Sequence, residues 1–462
     1  MELAQDQTKS RTNALSSEGE QPFVGVLRHI WMMSFAKRLV QAAAFFVLLA
    51  SPTYISAQQL TPHTIHLANG KTLVLNLPAN FSIDVAADGL RRVRFMAMSP
   101  DNRIFATDMH DLGDNSLGKV YILEGWDEKI GKFAKVTTYL DHLHNPNNLA
   151  FYTEPARDGR PGQSWVYLPL TDKLVRYKYN AGDEAPTEPP EVLAHYPDYG
   201  LNYKYGGWHL TRTVAFATLH GKTRLYVTVG SSCNVCQEKE EIRATLSVMD
   251  PDGEHQEIVA RGLRNAVSME YVSSIDDGAL FATNMGADHL GNQAPEDTFF
   301  ELDSNARPTR PGSNYGWPTC YFESGIAHED HLVSDPKPTD HVVPKPPAGP
   351  PPTQYDCTKI PPVFTTFAAH SSPLGLEYFD SGNAKLANSF LVALHGASRP
   401  KIGTGYRVMR FDANHRKPED FITGFLENGK VKGRPCGILR IGLDAFLLTD
   451  DHDGAIYYVH GR

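Results

Sequence analysis

The strongest constraint on the fold is a short strand pattern that occurs six times along the chain. The copies align on a pair of residues, whose second members are residues 98, 151, 216, 271, 378 and 441. The intervals between them are 53, 65, 55, 107 and 63 residues. Repeats of roughly this length that contain several strands each are typical of a β-propeller. The sequence therefore predicts an all-β fold, a six-bladed β-propeller.

Each repeat continues with further strands of β-branched and aromatic residues, such as 279–283 and 406–411. The 37 glycines and 32 prolines favour short strands separated by turns over long helices. Residues 73–85 precede the first repeat. We expect them to supply the outer strand of the last blade, which would close the ring.

The longest interval between repeats contains a proline-rich insertion at about residues 318–362. Its core, residues 344–352, is too rich in proline to pair in a sheet, because proline lacks the backbone N–H that a strand ladder needs. This pattern predicts an excursion from one face of the ring. Cys320 and Cys357 flank the insertion and would close it if they are paired.

The remaining cysteines are Cys233 and Cys236, in a C-x-x-C pattern, and Cys436. A zinc site is weakly supported, since no second C-x-x-C or histidine pair lies at zinc spacing. Gln237 follows Cys236, so the C-x-x-C-H signature of covalently attached haem is absent. We expect Cys436 to be the unpaired thiol.

Residues 33–57 have the pattern of a signal peptide. Residues 33–38 include a lysine and an arginine, 39–50 are apolar except for Gln41, and 55–57 resemble a cleavage site. A run of twelve residues is too short to span a bilayer. We therefore expect residues 1–57 to be an upstream extension plus signal peptide, and residues 58–462 to form one exported propeller domain without a membrane span. A periplasmic or secreted location follows; a single N-terminal membrane anchor is the alternative.

The formal net charge of the chain is −9, and no basic stripe is present to neutralise phosphates. Nucleic acid is therefore excluded as a partner.

Polar residues accumulate in the loops that precede the first strands and follow the second strands of the repeats. In a propeller these loops converge at one end of a central channel, where small ligands bind. Histidines, arginines and an asparagine at such a site suit an anionic, carbonyl-rich ligand together with a general base. The loops are 144–148, 209–212, 264–265, 284–288, 370–373, 395–399, 433–435 and 449–453.

Several loop segments, taken together and in order, carry a family resemblance. They are His209-Leu-Thr-Arg-Thr-Val-Ala-Phe216, Val229-Gly-Ser-Ser-Cys-Asn-Val-Cys236, Gly262-Leu-Arg-Asn265, Asn284-Met-Gly-Ala-Asp288, Ser313-Asn-Tyr-Gly-Trp-Pro318 and Gly433-Arg-Pro435. With these segments, the chain from about residue 75 onward resembles the soluble pyrroloquinoline quinone (PQQ)-dependent glucose/sorbosone dehydrogenases. Within them it is most similar to the L-sorbosone dehydrogenase-like branch.

The resemblance implies a dehydrogenase that oxidises an aldose or a sorbosone-like polyhydroxy aldehyde, with PQQ and Ca²⁺ as cofactors. His209 matches the general base, and the backbone carbonyls of Gly286 and Ala287 match the calcium ligands. A small sugar is the implied substrate. Since the chain has no haem motif, electrons would pass to a separate quinone or cytochrome. The positions implied for cofactor binding are Arg264, Asn265, His395, Arg399, Arg434 and Thr449.

Three positions depart from the pattern of the glucose-oxidising members. Trp208 precedes the base in place of an aspartate, His395 stands in place of a lysine, and Cys436 in place of an arginine. Two other functions stay open at this point. One is a calcium-dependent lactonase on a similar scaffold, and the other is a non-catalytic propeller that binds carbohydrate or protein.

Overall fold

Six sheets, each with four antiparallel strands and one with a fifth, parallel strand at its edge, follow one another along the chain and form a closed ring. The computed structural model describes residues 59–198, 209–310, 312–331, 355–383 and 385–462. Six strands, one from each sheet, contact one another in succession around the centre and are the innermost strands of their blades: Val93–Met98, Ala150–Thr153, Arg212–Leu219, Ser268–Val272, Pro373–Phe379 and Pro435–Arg440. The predicted six-bladed β-propeller is thus confirmed.

The strands of the first three blades follow the chain order from the centre outward. Blade 1 comprises β4 (Val93–Met98), β5 (Ile104–Asp108), β6 (Gly118–Asp127) and β7 (Lys132–Leu143). Blade 2 comprises β8 (Ala150–Thr153), β9 (Ser164–Pro169), β10 (Lys173–Tyr179) and β11 (Glu191–His195). Blade 3 comprises β12 (Arg212–Leu219), β13 (Lys222–Val229), β14 (Thr245–Met249) and β15 (Glu257–Arg261), with the short parallel strand β19 (Ser313–Asn314) at its edge.

The last three blades include two strands that are distant in sequence from the rest of their sheet. Blade 4 comprises β16 (Ser268–Val272), β17 (Ala279–Asn284), β18 (Asp297–Ser304) and β22 (Thr365–Phe367). Blade 5 comprises β23 (Pro373–Phe379), β24 (Ser389–Leu394), β25 (Arg407–Asp412) and β26 (Glu419–Ile422). Blade 6 comprises β29 (Pro435–Arg440), β30 (Ala445–Asp450), β31 (Ala455–Gly461) and β3 (Phe81–Ala87).

Three hairpins and two short 3-10 helices, Cys357–Lys359 and Pro400–Ile402, complete the described structure. The hairpins are β1 (Leu60–His66) with β2 (Thr72–Pro78), β20 (Cys320–Glu323) with β21 (Ile326–Glu329), and β27 (Leu426–Glu427) with β28 (Lys430–Val431). None of the helices in this part of the chain has the length and hydropathy of a membrane span.

The ring is closed by antiparallel pairing between β3 and β31, with Phe81 opposite Gly461 and Ile83 opposite Val459. The prediction that residues 73–85 supply the outer strand of the last blade is therefore confirmed for its second half. It is wrong for residues 73–78, which form β2 and pair with β1. Two non-strand residues after Pro78 divide the segment into two strands.

The predicted insertion lies between the third and outer strands of blade 4. Its described residues form the β20–β21 hairpin and one 3-10 helix. Cys320 and Cys357 are paired, so their disulfide joins the two ends of the insertion. The proline-rich core at 344–352, the residues assigned to the extension and signal peptide, and Trp208 lie outside the described residues.

Aromatic side chains fill the space between blades 4 and 5. Phe281 and Phe390 meet at 4.9 Å between ring centroids, and Phe299 lies 5.2 Å from Phe411. All four rings are fully buried, and each ring pair adds about 1 kcal/mol beyond the burial of its area. The side chains of β17 and β24 are buried along the whole strand, because neighbouring blades cover both faces.

The centre of the ring is filled by buried side chains from every blade. Asn147 donates to the Thr213 hydroxyl at 3.0 Å, and this hydroxyl donates to the carbonyl of Val267 at 2.8 Å. Arg94 donates to the Asn147 side-chain oxygen at 3.2 Å. The contributors in blade order are Arg94 and Phe95, Asn147, Thr213, Val267, Leu374, and Cys436. We call this set the central plug, since it closes the channel beneath the loops.

Cys436 is fully buried in the central plug and is the unpaired thiol, as expected. Burial raises the pKa of this thiol to about 12. The other four cysteines form the disulfides Cys233–Cys236 and Cys320–Cys357.

Two glutamates lie on the neighbouring innermost strands β16 and β23. The side chain of Glu270 accepts a hydrogen bond from the Tyr378 amide at 3.0 Å, while its second oxygen is buried with no hydrogen-bond partner among the described residues. Burial raises the pKa of Glu270, and burial together with the neighbouring Glu270 raises the pKa of Glu377 further. Ionisation of this pair therefore opposes folding.

We expect Glu270→Gln to stabilise the protein at neutral pH. A carboxyl group whose pKa is raised by folding weakens the folded state once the pH passes its unfolded value of about 4.3. The melting temperature should rise by about 2 °C or more at pH 7.5, and the gain should disappear below pH 4. Thermal unfolding across this range measures it, with the exposed Glu184→Gln as the matched control. A gain that is independent of pH would contradict this explanation.

Candidate active site

Loops from blades 3 to 6 converge above the central plug and carry the candidate site. They form two groups of side chains, one around His209 and Arg264, the other around His395 and Arg434. The loop 370–372 connects the two groups. Its Ser371 and Ser372 carbonyls accept hydrogen bonds from the amides of Gly396 and His395, at 2.9 and 3.0 Å.

His209 lies just before β12 and has a left-handed backbone, with φ 47°. Its Nδ1 lies 3.1 Å from the carbonyl oxygen of Ser231 and 2.8 Å from the Ser231 hydroxyl. A carbonyl oxygen only accepts hydrogen bonds, and the Ser231 hydroxyl donates its own proton to the Cys233 carbonyl at 2.8 Å. Nδ1 of His209 must therefore carry the ring proton, which makes Nε2 the basic nitrogen.

Withdrawal from water, and then the nearby charge of Arg264, holds the pKa of His209 well below its usual value. The imidazole is therefore neutral at physiological pH and able to accept a proton.

Gly230 makes the close packing beside His209 feasible. A Cβ atom at this position would lie 2.5 Å from the Cβ of His209 and 2.7 Å from the side-chain oxygen of Asn265. Any side chain here would push His209 and Asn265 apart. The glycine of the Val229-Gly-Ser-Ser segment therefore brings the predicted base and the predicted cofactor residue together.

Arg264 is buried, with 3% of its side chain exposed. Its guanidinium donates to the backbone and side-chain oxygens of Asn234 at 3.0 and 2.8 Å, and to the Gly286 carbonyl at 2.8 Å. The Asp288 carboxylate forms an ion pair with it at 3.4 Å. Three loops are thus tied together by one side chain.

Asn265 is buried beside Arg264. Its backbone amide donates to the Asn284 side chain at 3.0 Å, and its side-chain nitrogen contacts the sulfur of Met285 at 3.3 Å. The structure therefore places three of the predicted residues, His209, Arg264 and Asn265, in one group.

Arg434 and His395 form the second group. The guanidinium of Arg434 donates to three backbone carbonyls, those of residues 395, 396 and 397, at 2.9 to 3.1 Å, and to the Tyr406 hydroxyl at 3.0 Å. Within the described part of the chain these partners are all neutral. The charge of Arg434 therefore remains available to an anion.

His395 joins Arg434 to a buried acid. Its Nδ1 faces the Arg434 guanidinium at 3.4 Å and so accepts, while its Nε2 donates to Asp451 at 2.7 Å. Burial lowers the pKa of His395. Although burial alone would raise it, the His395 hydrogen bond and the charge of Arg94, 2.8 Å away, hold the pKa of Asp451 below its usual value.

Two predicted cofactor residues do not join these groups. The hydroxyl of Thr449 is fully buried, donates to the Arg94 carbonyl at 2.5 Å and accepts from the Gly437 amide at 2.7 Å. It therefore holds blade 6 against blade 1. Arg399 is exposed and makes no capping hydrogen bond at the start of the 3-10 helix Pro400–Ile402.

The predicted calcium ligands, the Gly286 and Ala287 carbonyls, lie in the first group. The Gly286 carbonyl already accepts from Arg264, which places positive charge beside it. A calcium ion does not fit this arrangement, because the same oxygen and the adjacent space are taken by a cation.

Four site residues were not among the predicted site residues: Ser231, Asn234, Asp288 and His370. Asp288 and His370 lie in loops that the sequence singled out as polar, and the other two lie in the Val229–Cys236 segment. Ser231 and Asn234 hold the predicted His209 and Arg264. His370 bonds to Asp288 at 2.8 Å and to the Gly291 carbonyl at 2.7 Å. Because the carbonyl only accepts, these two bonds suit a doubly protonated His370, and the Asp288 hydrogen bond raises its pKa.

The fold and these loops define a six-bladed propeller with a cation-rich site on its loop face. The chain belongs to the TrAA12-like family, which matches residues 76–424. A comparison with curated protein sequences gives no match.

Three solved structures illustrate the similarity. The calcium structure of the Trichoderma reesei carbohydrate-active enzyme family AA12 protein has a TM-score of 0.62 and 14% identity, and covers 89% of this chain and 100% of that chain. The holo form of the pyranose dehydrogenase PQQ domain from Coprinopsis cinerea has a TM-score of 0.60 and 17% identity, over 84% and 97%. The soluble aldose sugar dehydrogenase from Escherichia coli has 0.51 and 14%, over 83% and 100%. At these identities the similarity establishes the fold.

We expect His370→Gln to destabilise the protein in a pH-dependent way. The raised pKa of His370 contributes stability below about pH 6.5, and this contribution is lost as the pH rises through the folded value. Burial alone would raise the pKa of Asp288, but the hydrogen bond from His370 lowers it overall. The stability that Asp288 contributes is therefore lost as the pH falls through its folded pKa. The variant should melt about 2 °C below the parent at pH 5 to 6 and less below it at pH 8.5.

Thermal unfolding between pH 4 and 9 tests this expectation. His415→Gln is the matched control, since His415 pairs with Asp412 at 3.0 Å on an exposed surface. An equal loss at every pH would mean that His370 acts by packing alone.

Proposed function

We propose that this protein is a PQQ-dependent dehydrogenase that oxidises an aldose or a sorbosone-like polyhydroxy aldehyde. The observation that carries the proposal is a neutral His209, with its proton fixed on Nδ1, beside the buried guanidinium of Arg264. A neutral base whose pKa is lowered by burial and by a neighbouring cation suits removal of a hydroxyl proton next to an anionic, carbonyl-rich group. The shared fold of the Coprinopsis PQQ domain adds support.

The donors of the site fit PQQ, which carries three carboxylates and an ortho-quinone. The described partners of the Arg434 guanidinium are all neutral, so its positive charge can attract a carboxylate of PQQ. Arg264, Asn265, Arg434 and His395 are the residues that would hold the cofactor. Thr449 is committed to the Arg94 carbonyl, and Arg399 lies at the surface, so neither contributes in this arrangement.

When bound, PQQ supplies the two-electron acceptor for the carbon-bound hydrogen of the sugar. His209 takes the proton of the sugar hydroxyl on Nε2, and Ser231 keeps the Nδ1 proton in place during this transfer. The buried guanidinium of Arg264 would stabilise negative charge on the bound cofactor. The substrate leaves with a new carbonyl group.

Calcium is the second cofactor that the family resemblance implies. Because Gly286 is engaged by Arg264, no step is assigned to a metal ion. The two disulfides support an oxidising compartment, in line with export to the periplasm or the medium. Electrons would then pass to a separate acceptor, a quinone or a cytochrome.

We expect His209→Ala to bind PQQ with affinity close to that of the parent and to turn over sugars about 100-fold more slowly, the usual effect of losing a positioned base. Titration with PQQ and dye reduction with a panel of aldoses measure the two quantities. His415→Ala, an exposed histidine, is the matched control and should leave both unchanged.

Unchanged turnover in His209→Ala would remove this residue from the mechanism. If the parent protein fails to bind PQQ, the proposal itself is wrong. Hydrolysis of a lactone in the presence of calcium would then identify a lactonase, and sugar binding without turnover a non-catalytic propeller.

Removal of the Arg264 side chain should separate the roles of the two cofactors. Arg264→Ala frees the Gly286 carbonyl, so the affinity of the apoprotein for Ca²⁺ should rise by about tenfold, while its affinity for PQQ falls by at least that factor. Calorimetric titrations with each ligand measure this, with Arg261→Ala as the control on an exposed arginine. Unchanged calcium affinity would show that Arg264 does not compete for this oxygen.

A further inference from the structure

Residues 230–244 connect β13 to β14 without any strand of their own, yet they support both halves of the first group in the candidate site. The Cys233–Cys236 disulfide closes a four-residue ring within this connection. Irregular backbone of this length is costly to hold in one conformation, so a local cross-link has a large effect on its order.

Inside the ring, Asn234 accepts hydrogen bonds from four donors. Its backbone oxygen accepts from Arg264 at 3.0 Å and from the Trp317 indole at 2.9 Å. Its side-chain oxygen accepts from Arg264 at 2.8 Å and from the Asp288 amide at 2.9 Å. The position of the Arg264 guanidinium therefore depends on where the ring places a single residue.

The same ring also reaches His209. The carbonyl of Cys233 accepts a hydrogen bond from the Ser231 hydroxyl, so the hydroxyl oxygen is left to accept from Nδ1 of His209. The amide of Ser231 donates to the Arg264 carbonyl at 2.8 Å, so the two supports are linked.

We propose that the Cys233–Cys236 ring is the positioning device of this site: it holds Arg264 through Asn234 and the tautomer of His209 through Ser231. Asn234 and Ser231 are thus positioning residues, and the site is sensitive to reduction of this one disulfide. The expected effect on PQQ binding and turnover rests on the proposed function, whereas the expected effect on the positions of Arg264 and His209 does not.

The second disulfide provides an internal comparison. Cys320–Cys357 is buried and spans 37 residues, whereas Cys233 and Cys236 are partly exposed and three residues apart. The stabilisation that a cross-link gives by restricting the unfolded chain grows with the length of the closed loop. The long-range disulfide should therefore contribute more to global stability, and the short ring more to the geometry of the site.

The first test compares two double variants, Cys233→Ser with Cys236→Ser and Cys320→Ser with Cys357→Ser. The first should lower PQQ affinity and kcat by at least tenfold with a small change in melting temperature. The second should lower the melting temperature more and PQQ affinity less. The proposal would be overturned if both double variants lost PQQ affinity in the same proportion to their loss of melting temperature.

Dithiothreitol gives the same test without mutation. It supplies two electrons and two protons, cleaves the sulfur–sulfur bond to two thiols and is itself oxidised to a cyclic disulfide. Mild treatment should reduce the partly exposed ring first and lower activity in step with the appearance of two thiols, as counted by mass spectrometry after alkylation. Full activity with Cys233 and Cys236 both alkylated would contradict the inference.

Variants of Asn234 test, with the disulfide intact, whether this residue holds Arg264 in place. Asn234→Ala removes the two side-chain acceptor contacts and should weaken PQQ binding about tenfold, while Asn234→Asp keeps both and should stay within about threefold of the parent. Loss of affinity in the aspartate variant as well would assign Asn234 a different role.

The tautomer of His209 provides a readout that does not need the cofactor. In apoprotein labelled with ¹⁵N-histidine, Nδ1 should show the shift of a protonated nitrogen and Nε2 that of an unprotonated one, with His209→Gln for assignment. Reduction of the Cys233–Cys236 disulfide should move both shifts toward a mixture of tautomers. Ser231→Ala removes only the hydroxyl and should move them less, because the Ser231 carbonyl still accepts from Nδ1. Unchanged shifts after reduction would show that the disulfide does not control the tautomer of His209, whether or not the protein binds PQQ.

Discussion

Pairing between Phe81–Ala87 and Ala455–Gly461 is the interaction on which the remaining structure depends. It joins the last blade to a strand that precedes the first, so every innermost strand has a blade on each side. Without this pairing β4 and β29 would face water along buried apolar surfaces. The central plug, which takes a side chain from all six blades, exists only when the ring is closed.

The closed ring also explains the electrostatics of the site. Two buried cations, Arg94 and Arg264, and the buried His395 beside Arg434 could not be held near the centre of an open sheet. Each is supported by oxygen atoms from a blade other than its own: Arg94 by Asp451, Arg264 by the Asn234 side chain, and His395 by Asp451. Burial without such partners would be prohibitively unfavourable. The site is therefore a product of inter-blade contacts.

The sequence predicts the fold well because strand periodicity and repeat spacing are local signals. Five of the six aligned pairs fall entirely within an innermost strand, and Ile441 follows the last residue of β29. The site is predicted less completely. Thr449 has the expected residue type, but its hydroxyl faces the Arg94 carbonyl across a blade boundary. His370 and Asp288 are 82 residues apart, so no local pattern marks them as partners.

Cys436 has a consequence for the maturation of the protein. It is the one thiol left after the other four cysteines have formed disulfides, and in the folded ring it is out of reach of any reagent in solution. During oxidative folding, correct assembly of blade 6 is thus what prevents this sulfur from exchanging with the other two pairs. A thiol-specific dye added to the mature protein would label only those molecules whose ring has opened, which makes Cys436 a natural reporter of ring integrity.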